Sequence, residues 1–171
     1  MADGLYAGLS AGAFFGETPT AAAGDAENYE LSGAGIGGFV GYTSTMSNGL
    51  TLGLELAATG PVEGDPDENS SYEYAYDINW LIDTKLRVGT TLANNISVYG
   101  FAGMSFANTN HYYREYSTGG YNFGFGADYD LNNGMFVGVE AIQRDLDGYG
   151  DDIDDGRAVS QAISLRAGFK F

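Results

Sequence analysis

The final nine residues of the chain, 163–171, alternate between two kinds of side chain with a period of two. Apolar residues occupy every second position, and small or polar residues fill the positions between them. The two sets are Ile163, Leu165, Ala167, Phe169 and Phe171 on one side and Ser164, Arg166, Gly168 and Lys170 on the other. Successive side chains of a β-strand point to opposite faces, so this period is typical of a strand. The sequence therefore predicts a strand with one apolar and one polar face.

The same alternation recurs in seven further segments, and the sequence predicts eight strands. They are residues 5–15, 33–43, 50–58, 72–88, 96–107, 121–129, 135–143 and 163–171. In the third segment, leucines at 50, 52, 54 and 56 lie opposite a face of Thr51, Gly53, Glu55 and Ala57. Glycine weakens a strand interior, so a water-exposed face of this composition is unusual. Small residues suit the crowded lumen of a narrow eight-stranded barrel, with the apolar face turned to lipid.

The connections between these segments differ in length. Residues 44–49, 89–95 and 130–134 are predicted to be short turns containing Asn or Gly, and residues 17–30, 59–71, 108–119 and 145–158 long polar loops. Strict alternation of short and long connections indicates an antiparallel up-and-down barrel. Both termini and all turns would lie at one end, here called the turn end, and all long loops at the other, the loop end.

Bulk properties limit the class of protein. The 171 residues are the length of a single domain, 1–171, and no run approaches the roughly 20 apolar residues that a membrane-spanning helix needs. Cysteine is absent, so thiol chemistry and disulfides are unavailable. A net charge of −16 disfavours binding to nucleic acid. Ala2-Asp3 after Met1 is typical of a mature terminus left by a signal peptidase, with Met added for expression.

Several segments together resemble a known family, the small eight-stranded outer-membrane β-barrels that include the membrane domain of outer membrane protein A and the opacity-type surface proteins. The resemblance covers the whole chain. Its segments are Val98-Tyr99-Gly100-Phe101-Ala102-Gly103, Phe123-Gly124-Phe125-Gly126-Ala127-Asp128-Tyr129, Gly138-Val139-Glu140-Ala141 and the terminal Phe171. The acidity of the loops departs from the family pattern.

The resemblance implies a monomeric barrel in the outer membrane of a Gram-negative bacterium, with periplasmic termini and long extracellular loops. Its partners would be outer-membrane lipid and lipopolysaccharide. The last strand resembles the signal that the barrel-assembly machinery recognises, through Gly168, Phe169 and Phe171. No cofactor is expected.

Charged residues on the predicted inner face form the main candidate site. They are Glu55, Asp83, Lys85, Arg87, Asp128, Glu140, Arg166 and Lys170. Counting from the turn end places Glu140 and Arg166 at similar depth, and Glu55 near Lys85, so two ion pairs are predicted. Unpaired buried charge is costly, which favours a structural network that plugs the lumen. A gate or narrow ion path is the alternative.

Two other chemistries fit the sequence less well. The last loop carries Asp145, Asp147, Asp151 and Asp154, which could bind a hard cation, but the pattern lacks the ligand spacing of a calcium loop. A solvated acidic rim that attracts divalent cations is the preferred interpretation. Some barrels of this size modify lipid A, and His111, Glu115 and Ser117 lie close together in sequence, without a distinctive catalytic spacing. The chain is therefore predicted not to be an enzyme.

Aromatic residues cluster near both ends of the predicted strands. Those assigned to girdles at the two membrane interfaces are Tyr42, Tyr72, Tyr74, Tyr76, Tyr121 and Tyr129. The fourth segment keeps one phase for 17 residues and is longer than the 9 to 11 residues that cross a bilayer, which predicts a tyrosine-rich extension beyond it. That extension could instead bind an extracellular ligand.

The predicted function is that of a surface or envelope protein with a side-chain-filled lumen and acidic extracellular loops. A porin-like channel for small solutes is the main alternative. A soluble ligand-binding barrel is another, and it would require the leucine face inside and the glycine face outside.

Overall fold

The computed structural model describes residues 3–19, 28–64, 77–92, 95–111, 114–131, 133–147 and 157–171. Eight strands are formed: β1 (Gly4–Pro19), β2 (Asn28–Thr45), β3 (Leu50–Gly64), β4 (Asp77–Thr91), β5 (Ile96–His111), β6 (Arg114–Leu131), β7 (Met135–Asp147) and β8 (Arg157–Lys170). Within these residues no helix is long and apolar enough to cross a membrane.

Each strand pairs with the next one in the chain in an antiparallel sense, and β8 pairs with β1, so the sheet closes into a barrel. The predicted fold, an antiparallel up-and-down barrel of eight strands, is confirmed. The three short turns also lie where the sequence predicts them. The described residues of each turn include one with a positive φ, Gly49 at 84°, Asn95 at 64° and Gly134 at 85°, and Gly and Asn tolerate that conformation best.

One predicted long loop is wrong. Residues 108–119 were assigned to a loop because they are polar, but β5 and β6 continue pairing through this region up to His111 opposite Arg114. Only residues 112–113 connect the two strands. Backbone hydrogen bonds between strands do not require apolar side chains, and the Thr and Tyr residues of this segment have high β-propensity. Short and long connections therefore do not alternate strictly.

Strands β1, β2, β3, β7 and β8 also extend past the predicted boundaries at the loop end. β1 reaches Pro19, β3 reaches Gly64 and β7 reaches Asp147, where the apolar alternation has already stopped. The alternation reports contact with lipid rather than the length of the hydrogen-bonded strand. β4 begins at Asp77, and the tyrosines predicted to extend it, Tyr72, Tyr74 and Tyr76, lie outside the described residues.

Apolar side chains cover the outer face of the barrel. Leu9 is 73% exposed, Leu165 68% and Leu54 66%, whereas the inward-facing neighbours Glu55 and Arg166 are each 4% exposed. The alternative of a soluble barrel with its leucines inside is therefore wrong. An outer surface of this composition requires an apolar medium around it.

The strands are staggered around the barrel. Following paired residues from Phe15 on β1 around all eight strands returns to Leu5, ten positions earlier on the same strand. The residues on this path are Phe15, Gln161, Gln143, Phe123, Ala102, Leu86, Leu54, Tyr42 and Leu5. A stagger of this kind tilts the strands by roughly 35–45° to the barrel axis. Side chains on distant strands can therefore meet inside the lumen at positions that strand pairing alone does not reveal.

Candidate functional site

Ionised side chains from five strands meet inside the barrel, and we call this group the central network. Its members are Glu55, Lys85, Arg87, Asp128, Glu140 and Arg166, together with the hydroxyl groups of Tyr6 and Tyr99. None of the six charged residues is more than 5% exposed. Charges this deeply buried are tolerated only when each has partners of opposite sign.

Glu55 is the most highly coordinated carboxylate of the network. Its Oε2 atom lies 2.6 Å from Arg166 Nη2 and 2.7 Å from Arg87 Nη1, and the Tyr6 hydroxyl donates to it at 2.8 Å. Its Oε1 atom lies 3.1 Å from Lys85 Nζ. The residue is directly opposite Lys85 in the β3–β4 pairing, so the structure forms the pair predicted from the sequence.

Glu140 supplies the second carboxylate. Arg166 Nη1 and Lys85 Nζ each approach it at 2.5 Å, and the Tyr99 hydroxyl donates to it at 3.1 Å. The pairing of Glu140 with Arg166 matches the predicted contact, although the two residues are not directly opposite. Arg166 is opposite Gly138, two positions nearer the turn end, and its long side chain spans the difference.

Aromatic rings flank the two arginines of the central network. The guanidinium carbon of Arg87 lies 3.6 Å from the centre of the Tyr99 ring, and that of Arg166 lies 4.1 Å from the centre of the Phe39 ring. Arg87 Nη2 also contacts Asp128 at 3.1 Å. Cation–π contacts strengthen when they are desolvated, so the rings contribute to holding the arginines in place.

The inner glycines make room for these rings. Five inward aromatic residues each lie over the glycine that is directly opposite on the neighbouring strand. The pairs are Tyr6 with Gly41, Phe39 with Gly8, Tyr99 with Gly126, Phe101 with Gly124 and Phe136 with Gly168. A Cβ atom on any of these glycines would overlap the ring. The glycine-rich face of the sequence therefore accommodates large side chains rather than leaving an open pore.

Aromatic side chains cluster inside the lumen at the turn end. Tyr6, Phe39 and Phe136 form a cluster with ring centres 6.0 to 6.1 Å apart. Lys170, predicted as an inner charge, lies at this mouth, forms an ion pair with Asp130 and is 5.5 Å from the centre of the Phe136 ring. It is only partly buried, in contrast to the central network.

A separate ion pair lies nearer the loop end. Asp83 Oδ2 is 2.7 Å from Arg144 Nη2, Asp83 Oδ1 accepts from Arg144 Nε at 3.0 Å, and Ser105 Oγ donates to Oδ1 at 2.5 Å. Asn122 Nδ2 donates to Ser105 Oγ at 2.9 Å. A neighbouring apolar cluster, which also includes Tyr99 of the central network, contains Phe14, Leu81, Tyr99, Phe101, Ala107, Ile142, Leu146 and Ala162.

Among the described residues, Arg144 is the fully buried lumen charge that the sequence analysis does not predict. The predicted seventh strand ends at residue 143 and the predicted loop begins at residue 145, so Arg144 is assigned to neither. The available signal was its phase, because Gly138, Glu140 and Arg144 are all even-numbered positions of one strand and share its inner face.

The charges inside the lumen are balanced. Among the side chains that the structure describes, five basic residues, Lys85, Arg87, Arg144, Arg166 and Lys170, lie with five acidic ones, Glu55, Asp83, Asp128, Asp130 and Glu140. The net charge of −16 therefore belongs to the rest of the chain. Neutrality inside and excess acid elsewhere are consistent with a lumen whose charges stabilise one another.

A family model described as "Outer membrane protein beta-barrel domain" matches residues 2–171. The chain belongs to this family. The resemblance to small outer-membrane barrels is thereby confirmed, and the protein is an outer-membrane β-barrel of the Gram-negative type. The apolar outer face described above is the surface that contacts membrane lipid.

Individual relatives agree with this assignment. The 31 kDa outer-membrane immunogenic protein of Brucella melitensis is 26% identical over 167 residues, covering 84% of this chain and 69% of that protein. Neisserial surface protein A has a similar structure, with a TM-score of 0.64, 12% identity, and 98% and 97% of the two chains covered. The attachment invasion locus protein of Yersinia pestis gives a TM-score of 0.53 at 14% identity, covering 98% and 99%. At these identities the two solved structures show a shared fold.

Three of the six predicted girdle tyrosines can be placed in this outer-membrane barrel. Tyr42, Tyr121 and Tyr129 are outward-facing and 52%, 68% and 47% exposed, respectively. At the terminus, the Phe171 backbone N–H donates to Leu5 O at 2.8 Å, and the Phe169 and Phe171 rings pack edge to face at 5.5 Å.

The candidate metal ligands and the residues considered for catalysis lie partly outside the described residues. Asp145 is on β7 opposite Tyr121, Asp147 ends that strand, and Asp151 and Asp154 are outside the described residues. Among the residues that are described, no three His, Asp or Glu side chains are grouped as metal ligands. The backbone places Ser117 opposite Asn108 and Glu115 opposite Asn110, while the side chains of His111 and Glu115 are not described.

Proposed function

We propose that this protein is a surface protein whose barrel is a sealed anchor in the outer membrane and whose loop end is the interacting part. The filled lumen carries this proposal. An aromatic cluster, the central network and an apolar cluster with its own ion pair follow one another between the turn end and the loop end. An ion crossing the lumen would have to separate buried charges from their partners of opposite sign, which is costly.

Bilayer recording tests the sealed anchor. The protein, refolded into a planar bilayer and checked by its heat-dependent gel migration, is expected to give no steady conductance at either polarity. The same preparation after heat denaturation serves as the baseline. A steady open-pore current from the folded protein would contradict the proposal.

The main alternative is a small channel, and one observation favours it. Beside the central network lies a small cavity of about 30 Å³, lined on one side by small residues such as Ser10, Ala57 and Ser164. A polar cavity of this kind can hold water. If the network rearranged, the cavity would become part of a path, and the recording described above would show brief openings whose frequency rises with voltage.

We infer that the turn end faces the periplasm. The strands extend beyond the apolar band mainly at the loop end, as β3 and β7 do, and short turns on one side are typical of periplasmic ends. Cysteine substitutions of the exposed residues Ser117 and Asn133 test this on intact cells. An impermeant thiol reagent should label only the Ser117→Cys protein, and labelling of Asn133→Cys alone would reverse the orientation.

The loop end is proposed to interact through divalent cations. The segments 17–30, 59–71 and 145–158 contain many Asp and Glu residues, and divalent cations can link such carboxylates to the phosphates of lipopolysaccharide. Asp145, Asp147, Asp151 and Asp154 are the candidates for this contact. Binding of purified lipopolysaccharide should fall when calcium and magnesium are chelated, and binding that is unchanged by chelation would contradict the idea.

The terminal strand is proposed to guide assembly, with Gly168, Phe169 and Phe171 as the signal. Phe169 and Phe171 project from the apolar face at the turn end, with 44% and 76% exposure. Removal of Phe171 should lower the folded fraction in cells far more than in refolding with detergent, because only the cellular route uses the assembly machinery. Equal losses in both would indicate a purely structural role.

The exposed tyrosines are proposed to hold the barrel at a fixed depth. Tyr42 and Tyr129 lie toward the turn end and Tyr121 toward the loop end, and amphipathic rings prefer the membrane interfaces. We also propose that the protein is not an enzyme, a view supported by its membership of the outer-membrane β-barrel family and by a relative described as an outer-membrane immunogenic protein. A His111→Ala variant should therefore leave the lipid A of its host unchanged.

A further inference from the structure

The two groups of ion pairs in the lumen lie at different depths. Arg144 is four residues beyond Glu140 on β7, which is roughly 13 Å along the strand at 3.3 Å per residue. Asp83 is likewise two residues beyond Lys85 on β4, toward the loop end. The groups therefore meet in two separate layers rather than in one.

Each layer contains ion pairs formed between its own members. Asp83 and Arg144 bind each other through two bonds of 2.7 and 3.0 Å, and Ser105 completes the coordination of the carboxylate. The central network neutralises Glu55 and Glu140 through Lys85, Arg87 and Arg166. A substitution in one layer therefore leaves the partners of the other layer in place.

Apolar side chains close the lumen around the second ion pair. Phe14, Leu81 and Leu146 are 4%, 2% and 7% exposed and belong to the apolar cluster at this depth. The guanidinium carbon of Arg144 lies 5.6 Å from the centre of the Phe14 ring. We call the Asp83–Arg144 pair with these three residues the loop-end seal.

The space between the two layers is the cavity described above, which is lined by residues of both. Asp83 and Arg144 contribute to it from the loop-end seal, and Glu55, Glu140 and Arg166 from the central network. Ser164 lies on its wall, two residues from Arg166 toward the loop end. A reactive group at position 164 would therefore lie between the two layers and could be reached only through one of them.

We propose that the lumen is closed by two seals in series, the central network and the loop-end seal, and that either one alone blocks the passage of ions. This inference rests on the sealed lumen proposed above. It follows that breaking the central network alone opens the cavity to the turn end only, and breaking the loop-end seal alone opens it to the loop end only.

The chain has no cysteine, so a single introduced thiol reports on the cavity. Ser164→Cys changes one atom at its wall. It is combined with Glu55→Ala plus Arg166→Ala for the central network, or with Asp83→Ala plus Arg144→Ala for the loop-end seal, and each pair removes one acid and one base. A small, cationic, membrane-impermeant thiosulfonate reagent is added to one side of lipid vesicles at a time. Ser117→Cys and Asn133→Cys, exposed at the two ends, establish the side that is labelled.

With both seals intact, the Ser164→Cys protein should stay unlabelled from both sides. Opening one seal should raise the labelling rate from the matching side by at least about a hundredfold, which corresponds to a barrier lowered by about 2.7 kcal/mol. The rate from the other side should not change. Only the variant that carries all four alanine substitutions should be labelled from both sides and conduct ions across a planar bilayer.

The failures are distinguishable. Labelling with both seals intact would refute the sealed lumen itself. If a variant that lacks one seal is labelled from both sides, the proposal of two seals is wrong, although the lumen of the unaltered protein is still sealed. The same conclusion follows if the variant that lacks both seals is folded but remains unlabelled. Labelling is scored on the folded gel band only. If the alanine variants do not refold, Arg166→Gln and Arg144→Gln are the milder substitutions with the same expected sidedness.

Discussion

Leu54 and Glu55 are consecutive residues of β3 that occupy opposite environments. Leu54 is 66% exposed on the outer face, and Glu55 is 4% exposed and bound to two arginines, a lysine and a tyrosine. A water-soluble protein would place these two residues the other way round. The outer face is therefore suited to contact with hydrocarbon, and specific polar contacts hold the side chains of the interior in place.

The two faces also differ in how they respond to change. Lipid tails are about as apolar as leucine, so an outer leucine gains little from any particular neighbour. An inner charge depends on named partners at short distances, and it has no access to bulk water if one of them is lost. Substitutions on the inner face should therefore cost more and depend more strongly on position.

The largest expected effect comes from Glu55→Ala. Removal of this carboxylate leaves Arg87, Arg166 and Lys85 with too few partners, and breaking a buried ion pair costs about 3–5 kcal/mol. Urea unfolding in lipid vesicles, followed by the fluorescence of Trp80, measures the change. Leu54→Ala on the adjacent outer position is the control and should cost about 1 kcal/mol or less, since lipid fills the space. If Glu55→Ala and Leu54→Ala lowered the free energy of unfolding equally, the two faces would not differ in their response to substitution.

A charge placed on the outer face should have the next largest effect. Leu54→Arg exposes a guanidinium to the bilayer interior and should destabilise the protein by about 2–4 kcal/mol, measured by the same unfolding experiment. Ser44→Arg is the control, because Ser44 is an exposed residue near the turn end where the cost falls to about 0–1 kcal/mol. A cost that did not depend on this depth would argue against a lipid-facing outer surface.

The glycines provide the smallest and most local test. Gly124→Ala on the inner face would bring a Cβ atom into overlap with Ala141 O and the Phe101 ring, and overpacking of this kind costs about 1–3 kcal/mol. Gly100→Ala on the outer face meets its nearest atom, Gly124 O, at 3.7 Å. That substitution should be neutral or stabilise by about 0.5 kcal/mol, because alanine loses less backbone entropy than glycine. If both unfold at the same urea concentration, the inner glycines do not serve to accommodate rings.

The orientation of most side chains was predictable from the sequence because it is a local property. Phase within a strand placed Glu55, Arg87 and Arg166 inside, and the direct β3–β4 register brought Glu55 to Lys85. Arg144 was missed where the apolar alternation faded, although the strand continued. The prediction of a loop at residues 108–119 is wrong for the same reason, because the strands stay hydrogen-bonded beyond the point where the apolar alternation ends.

The alternation of apolar and polar residues by itself determined eight strands, two unlike faces and which residues belong to each face. Successive side chains of a strand point to opposite faces, so the period of two can be read from consecutive residues. Only the closed barrel decided which inner residues meet. The ten-residue stagger is the accumulated result of eight strand registers, and it brings Arg166 of β8 to Glu55 of β3, which are not neighbours in the sheet. The division of the lumen into two charged layers is likewise a property of the closed structure, because it depends on the depth at which side chains from separate strands come together.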